Sequence, residues 1–338
     1  MRNRTSFHLM FAAVLMMLAP AFAHAQDDGY YKGKTVTVIV GFSPGGGYDT
    51  YARTFARYFN KHVPGAPNVI VQNMPGAGSL TSVRYLNGPA AKDGTIITAF
   101  NPGVITDSLL NPEKVRLKLD QFAWLGSITR DFRVCYAWGK TGIKTFADLA
   151  GGREFIMGAT GVNTSNYMNG AMLRNLLDVK VRQITGFPGS NEMRLAIERG
   201  ELHGDCGSWS SVPDDWVKEK KVSVFLRFSP RLDPEVPASV PFAVDVAKTE
   251  ERKKLIRILI AAGELGRPFI VSKLVPSDRL KVLQSAFMAT VKDPGFLAET
   301  KKLGLPVDPA PADEAMSILK EIYLASPDLV AKARLAVK

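Results

Sequence analysis

The residues best placed to do chemistry form a glycine-rich run, Gly41-Phe42-Ser43-Pro44-Gly45-Gly46-Gly47-Tyr48-Asp49, between a β-branched segment and one of helical period. Glycines let the backbone turn several N–H groups toward one point, and the N-terminus of the following helix adds positive potential, so such a run cradles an anion. A tight strand-to-helix turn is the simpler alternative, but three consecutive glycines exceed what a turn requires. A second run, Asn73-Met74-Pro75-Gly76-Ala77-Gly78-Ser79, repeats the device. In an open α/β sheet both runs emerge at the carboxyl edge of the strands, where ligands bind. Asp49 and Ser79 stand where helix N-caps belong, a role that needs no ligand.

Three enzymatic patterns come close and fail. Gly41-x-Ser43-x-Gly45 matches the nucleophile elbow of α/β-hydrolases and follows a strand. The residue after the nucleophile is Pro44, however, which has no N–H to offer an oxyanion. A serine hydrolase using Ser43 is therefore the weakest of the functional readings, and no catalytic residue is assigned. The dinucleotide fingerprint lacks its third glycine, since Thr50 stands there, and no P-loop occurs. Beyond the first 25 residues the histidines are His62 and His203, far apart, so neither a metal site nor a cofactor is expected.

The elements that must position these runs follow from hydrophobic period. Val36–Val40, Asn68–Gln72 and Thr95–Phe100 are expected strands, with helices at Thr50–Phe59 and Leu80–Leu86. A second series places strands near Phe132–Ala137, Glu154–Met157, Val181–Ile184 and Val222–Leu226, and helices near Ser165–Leu177 and Glu192–Arg199. This alternation predicts parallel strands with crossover helices. The βα loops of the second series add Thr160, Ser165, Asn166, Phe187, Ser190 and Asn191, more polar groups than capping uses. A stiff stretch with Pro230, Pro234, Pro237 and Pro241 leads into helices at Thr249–Ala262, Ser277–Val291, Pro294–Leu303 and Ala312–Leu324. Asp293-Pro294 has the form of an N-cap with proline at N1, and Gly304 sits where a C′ glycine belongs. The expected organisation is lobe I from 26–127 plus 229–338 and lobe II from 128–228, with the chain crossing a hinge twice. Trp124, Trp138, Trp209 and Trp216 fall at or within the second lobe and are expected in packing rather than on a ligand.

The first segment sets the compartment. Arg2 and Arg4, an apolar run from Leu9 to Ala19 and Ala23-His24-Ala25 have the order of a secretory signal peptide, residues 1–25, cut before Gln26. The apolar run is too short for a membrane span. The 338-residue chain carries 43 Lys and Arg against 32 Asp and Glu, a net charge of +11. Cleavage leaves about +9 in an exported protein, expected to be soluble in a bacterial periplasm, where nucleic acid, ATP and NAD are not the natural partners. Cys135 and Cys206 are the only cysteines. In that compartment a bridge between them stabilises by about 4 kcal/mol in the chain-entropy model, and two separately buried thiols are the alternative.

The sequence resembles the periplasmic solute-binding receptors of the tripartite tricarboxylate transporter family, the Bug-type receptors. The resemblance runs over essentially the whole mature chain. It rests on Lys32-Gly33-Lys34, Gly45-Gly46-x-x-Asp49 with Arg53, Asn73-x-Pro75-Gly76-Ala77-Gly78, Asp93-Gly94-Thr95, Lys144-Thr145-Phe146-x-Asp148-Leu149, Asp293-Pro294 and Gly304-Leu305. It implies a two-lobed α/β periplasmic binding protein, a Venus flytrap with a βα-built sheet in each lobe and a C-terminal helical segment packing on the first. It also implies a monomer that captures a small organic acid and delivers it to a transporter of one large and one small integral membrane subunit; a receptor feeding a membrane sensor kinase is the alternative. In such receptors the first two βα loops hold the carboxylate, which here means Phe42, Ser43, Gly45, Gly46, Gly47, Tyr48, Asp49, Pro75, Gly76, Ala77, Gly78 and Ser79. Asn101, after the third strand, joins this ligand-binding set with the second-lobe residues above. Gly47-Tyr48 replaces a common Pro-Thr or Pro-Ser pair, and Ser79 a frequent glycine. Tyr48 therefore offers the ligand a hydroxyl or an aromatic wall.

Overall fold

A computed structural model describes residues 29–338; the expected signal segment lies outside the described residues. The strands are β1 Thr35–Val40, β2 Asn68–Asn73, β3 Ile96–Ala99, β4 Phe122–Ser127, β5 Arg133–Trp138, β6 Phe155–Ala159, β7 Val181–Thr185, β8 Gly204–Ser208, β9 Val222–Arg227, β10 Pro268–Ser272 and β11 Ala310–Pro311. The helices are α1 Gly47–Phe59, α2 Leu80–Asn87, α3 Gly103–Leu110, α4 Pro112–Val115, α5 Ala147–Ala150, α6 Ser165–Leu176, α7 Ser190–Glu198, α8 Asp214–Lys218, α9 Glu250–Ile260, α10 Ser277–Val291, α11 Pro294–Lys302, α12 Ala312–Tyr323 and α13 Pro327–Ala336.

Two sheets carry the architecture. The first has the order β11-β4-β10-β3-β1-β2, the second β7-β6-β8-β5-β9. Alternate valines of β1, Val36, Val38 and Val40, meet the apolar stripe of α1, Tyr51, Phe55 and Phe59, with Phe287 of α10 closing the layer. The opposite face of that sheet is covered by Leu80, Val83 and Leu86 of α2 and by Leu319 of α12. Helices on both faces bury the interior strand β1 on both sides, which is why it is a continuous β-branched run, while the edge strand β2 stays half-exposed. Trp124 belongs to the first-sheet core, while Trp138 and Trp216 pack on each other in the second, ring centroids 4.7 Å apart.

The expectation of parallel strands holds within each βα series and not around the crossovers. β1 runs parallel to β2 and β3, and β6 parallel to β7 and β8. β10 lies antiparallel between β3 and β4, and β5 antiparallel between β8 and β9. These are the strands on which the chain passes from one sheet to the other: β4 leads to β5 through a short link, and β10 receives the returning chain. A returning strand inserted into an existing sheet has no crossover helix to set its direction, so the parallel rule does not govern it.

The C-terminal helical segment is divided. α10, α11 and α12 pack on the first sheet, through Leu283, Phe287, Phe296 and Leu319. α9 and α13 instead bury Leu255, Ile256, Leu259, Ala333 and Ala336 in the core of the second sheet. Cys135 and Cys206 face each other on β5 and β8 and form a disulfide. Among the described residues no helix is long and apolar enough to cross a membrane.

Candidate functional site

The glycine-rich run leaves β1 at the carboxyl edge of its sheet and enters α1, which starts at Gly47, three residues earlier than its apolar stripe indicates. Gly46 holds the N-cap position, so Asp49 is not the cap but lies within the first turn. Its carboxylate reaches back to accept from Gly45 N–H at 2.9 Å and also accepts from Arg53 Nε and Asn73 Nδ2. Burial pushes this carboxyl up, but those hydrogen bonds outweigh it and hold the group below its ordinary range. Asn73 Nδ2 also donates to the Phe42 carbonyl, which ties the start of the second run to the first. Asp49 thus braces the loop from below, with its oxygens turned away from any ligand.

The second run is held in an unusual backbone. Gly76, Ala77, Gly78 and Ser79 all have positive φ, including two residues with a Cβ. Ser79 stands at the N-cap of α2, but its hydroxyl accepts from Asn101 N–H at 2.8 Å rather than from the helix. Asn101 Oδ1 in turn accepts from Gly103 N–H at 2.7 Å and from Ser165 Oγ of the facing sheet at 2.8 Å.

Between the two sheets lies a cavity to which both contribute residues. Nine of the residues expected to bind ligand line it: Phe42, Gly46, Gly47, Tyr48, Asn101, Thr160, Ser165, Asn166 and Ser190. Pro75, Gly76, Ala77, Gly78 and Phe187 line a neighbouring opening that shares Phe42 and Thr160 with it. Ser43, Gly45, Asp49, Ser79 and Asn191 line neither. Ser43 works across the cleft instead, its Oγ donating to Glu192 Oε2 at 2.9 Å and its N–H to the Pro188 carbonyl at 3.2 Å. Asn163 Nδ2 donates to the Ala77 carbonyl at 2.7 Å, so the two halves are in contact on both sides of the cavity. The histidines are occupied elsewhere, His62 by Asp293 and His203 by the Ile156 N–H.

The charged part of the wall was not legible as a site. Asp131, Arg133, Asp205 and Arg267 all line the cavity and are all buried. Arg133 Nε donates to Asp131 Oδ2 at 2.7 Å, and Arg267 Nη1 lies 3.6 Å from the same oxygen. Ser208 Oγ donates to the other Asp131 oxygen. Burial pushes the Asp131 carboxyl up, but the charges of Arg133 and Arg267 hold it below its ordinary range. The Arg267 guanidinium sits 4.3 Å from the Tyr48 ring centroid and 5.0 Å from that of Tyr51, a cation between two π faces. Its Nη2 reaches Ser208, Ser210 and Ser211 of the facing half at 2.9 to 3.3 Å. Tyr48 therefore serves as a platform: it stacks on Phe42, lies under Arg267, and donates its hydroxyl to the Gly266 carbonyl. Burial pushes that hydroxyl up to about 12. The available sequence signal was single charges flanking apolar strands, Asp131 and Arg133 at the first crossover and Arg267 just before Pro268-Phe269-Ile270-Val271.

Two guanidiniums face the Asp131 carboxylate, with the Asp205 carboxylate apart from them on β8, and Arg133 Nη2 and Arg267 Nε are buried without a hydrogen-bond partner. Beside them Gly47 brings backbone so close that a Cβ there would lie 3.3 Å from Arg267 Nη2. The glycine loop and the arginines therefore line one cavity side by side. Among the described residues no group of three or more His, Cys, Asp or Glu is placed to hold a metal ion.

No family model matches the chain. A UPF0065 protein from the TAR-I ttuE-ttuC' intergenic region of Agrobacterium vitis is 25% identical over 317 residues, covering 87% of this chain and 89% of its own. Among solved structures, the periplasmic binding protein BugD superposes with a TM-score of 0.74 at 19% identity, over 90% of this chain and 98% of its own. MatC from Rhodopseudomonas palustris, solved with bound malate, superposes with a TM-score of 0.70 at 20% identity, over 90% and 99%. The structural neighbours of this chain are Bug-type periplasmic binding proteins, and its fold is theirs.

Proposed function

We propose that this chain is a periplasmic solute-binding protein that captures a small organic carboxylate between a lobe built on the first sheet and a lobe built on the second, the latter including α9 and α13. The closed form then docks on a membrane transporter of one large and one small integral subunit. The observation that carries the reading is the cavity lined together by Gly46 and Gly47 at the N-terminus of α1 and by Arg133 and Arg267, each with a guanidinium nitrogen left without a partner. The malate in MatC supports a carboxylate, and the leader-like first 25 residues support export. Ligand contacts to both lobes favour the closed arrangement, and that differential affinity drives closure.

The test is thermal unfolding of ligand-stripped protein against a panel of mono-, di- and tricarboxylates. A ligand present at a hundred times its Kd adds about 2.7 kcal/mol and raises the Tm by several degrees. If no member of a broad panel moves the Tm, the reading is wrong.

A further inference from the structure

Four charged groups line the cavity, and two of them, Arg133 and Asp205, are of opposite sign and incompletely matched by the protein. Arg133 is 7% exposed, and its Nη2 has no partner. Asp205, from β8, is also 7% exposed. One of its oxygens accepts from Cys206 N–H at 2.8 Å, and Asn166 is its other hydrogen-bonding neighbour. Among the described residues, no Lys, Arg or His nitrogen lies within ion-pair distance of it; Arg194, the nearest cation to act on it, is turned to Ser190. Burial pushes the Asp205 carboxyl up to about 6, with the Cys206 and Asn166 hydrogen bonds opposing. At neutral pH it is still largely a carboxylate, lining the cavity without an ion-pair partner among the described residues.

We infer that the ligand of this cleft carries a cationic amine as well as a carboxylate, with Asp205 receiving the amine and Arg133, beside the glycine loop, the carboxylate. The inference rests on the carboxylate-receptor reading above and narrows it. Arg133 pairs with Ser208 and Asp205 with Tyr136 on the β5–β8 ladder. Both side chains nevertheless line the same cavity, so a short ligand with opposite charges at its two ends can meet both. A plain dicarboxylate fits less well, because its second carboxylate meets the like charge of Asp205.

The experiment is isothermal titration of ligand-stripped full-length mature protein with a matched four-carbon set: succinate, malate, aspartate and 4-aminobutyrate. At least one amine-bearing member is expected to bind tenfold or more tightly than both succinate and malate. Asp205→Asn, which keeps the shape and the acceptor for Cys206 N–H, is expected to erase that margin, while Arg133→Gln weakens every member that binds. If succinate or malate binds as tightly as the amines, or if Asp205→Asn keeps the margin, the amine assignment is overturned and the carboxylate reading stands. If none of the four binds, while the broader panel also gives nothing, it is the carboxylate reading that has failed. The wild-type comparison decides the matter even if a variant does not fold.

Discussion

Asp131 and Asp205 are buried carboxylates in one cavity wall whose surroundings push them in opposite directions. Asp131 is held below its ordinary range by two guanidiniums, so it contributes stability above about pH 4 that is lost as the pH falls further. Asp205 is raised from 3.8 to about 6 by burial. The folded state therefore binds more protons than the unfolded chain between those values, and the stability Asp205 contributes in acid is lost as the pH rises through about 6. At pH 7.5 this amounts to a penalty on the order of 3 kcal/mol relative to a neutral group. In ligand-free protein, Asp205→Asn should raise the urea-unfolding free energy at pH 7.5 by about 1–3 kcal/mol, with the difference vanishing near pH 4. Equal or lower stability of the variant at pH 7.5 would contradict this. Neither aspartate stood out in the sequence, because an isolated charge beside a strand carries no period or spacing, whereas a triple glycine does.

At the level of elements, local chemistry was readable wherever it was self-contained. α10 has the bounds its apolar period indicates, Asp293 accepts from Gly295 and Phe296 N–H to start α11, and Gly304 follows that helix with φ of +64°. What could not be read depended on partners distant in the chain: the antiparallel placement of β10 between β3 and β4, and the burial of α13 against the second sheet rather than the first. α3 was missed as well, since Gly103–Leu110 is buried nearly all round, its polar Thr106, Asp107 and Ser108 included, and shows no apolar period. That helix opens with a glycine whose reason lies across the cleft. A Cβ on Gly103 would lie 2.6 Å from the Asn163 carbonyl oxygen and 2.7 Å from the Ser165 nitrogen, both backbone atoms of the facing half. In a helix, alanine is favoured over glycine by up to about 1 kcal/mol. Gly103→Ala should therefore leave the ligand-free Tm unchanged or slightly raised while weakening ligand binding at least tenfold, because the halves can no longer meet. Titration calorimetry with any ligand found in the panel, alongside small-angle scattering for closure, checks this; unchanged affinity would mean that the closed arrangement is not the one that binds.

Over the whole molecule, the disulfide and the crossovers assign different duties to the two halves. Cys135 and Cys206 are 71 positions apart, and the loop they close contains β6, α6, β7 and α7, most of the second sheet's layers. The bridge joins the two strands that carry Arg133 and Asp205, so it also fixes the charged wall of the cavity. The first half has no such tie and relies on its aromatic core around Phe55, Phe269 and Phe287. Removing the bridge should therefore act unequally. Closing a loop of this length restricts the unfolded chain by about 4 kcal/mol, a large share of the 5–15 kcal/mol typical of a folded domain. In the Cys135→Ala/Cys206→Ala double variant, urea unfolding followed by near-ultraviolet circular dichroism should split into two steps. Signals from Trp138, Trp209 and Trp216 in the second half should be lost first, and Trp124 in the first-sheet core should persist to the midpoint of the bridged protein. A single transition shifted as a unit would show instead that the interlobe contacts of Ser43, Asn101, Asn163 and Arg267 bind the halves into one cooperative body even without ligand. The tryptophan fluorescence of the two halves, measured in the same titration, distinguishes the outcomes.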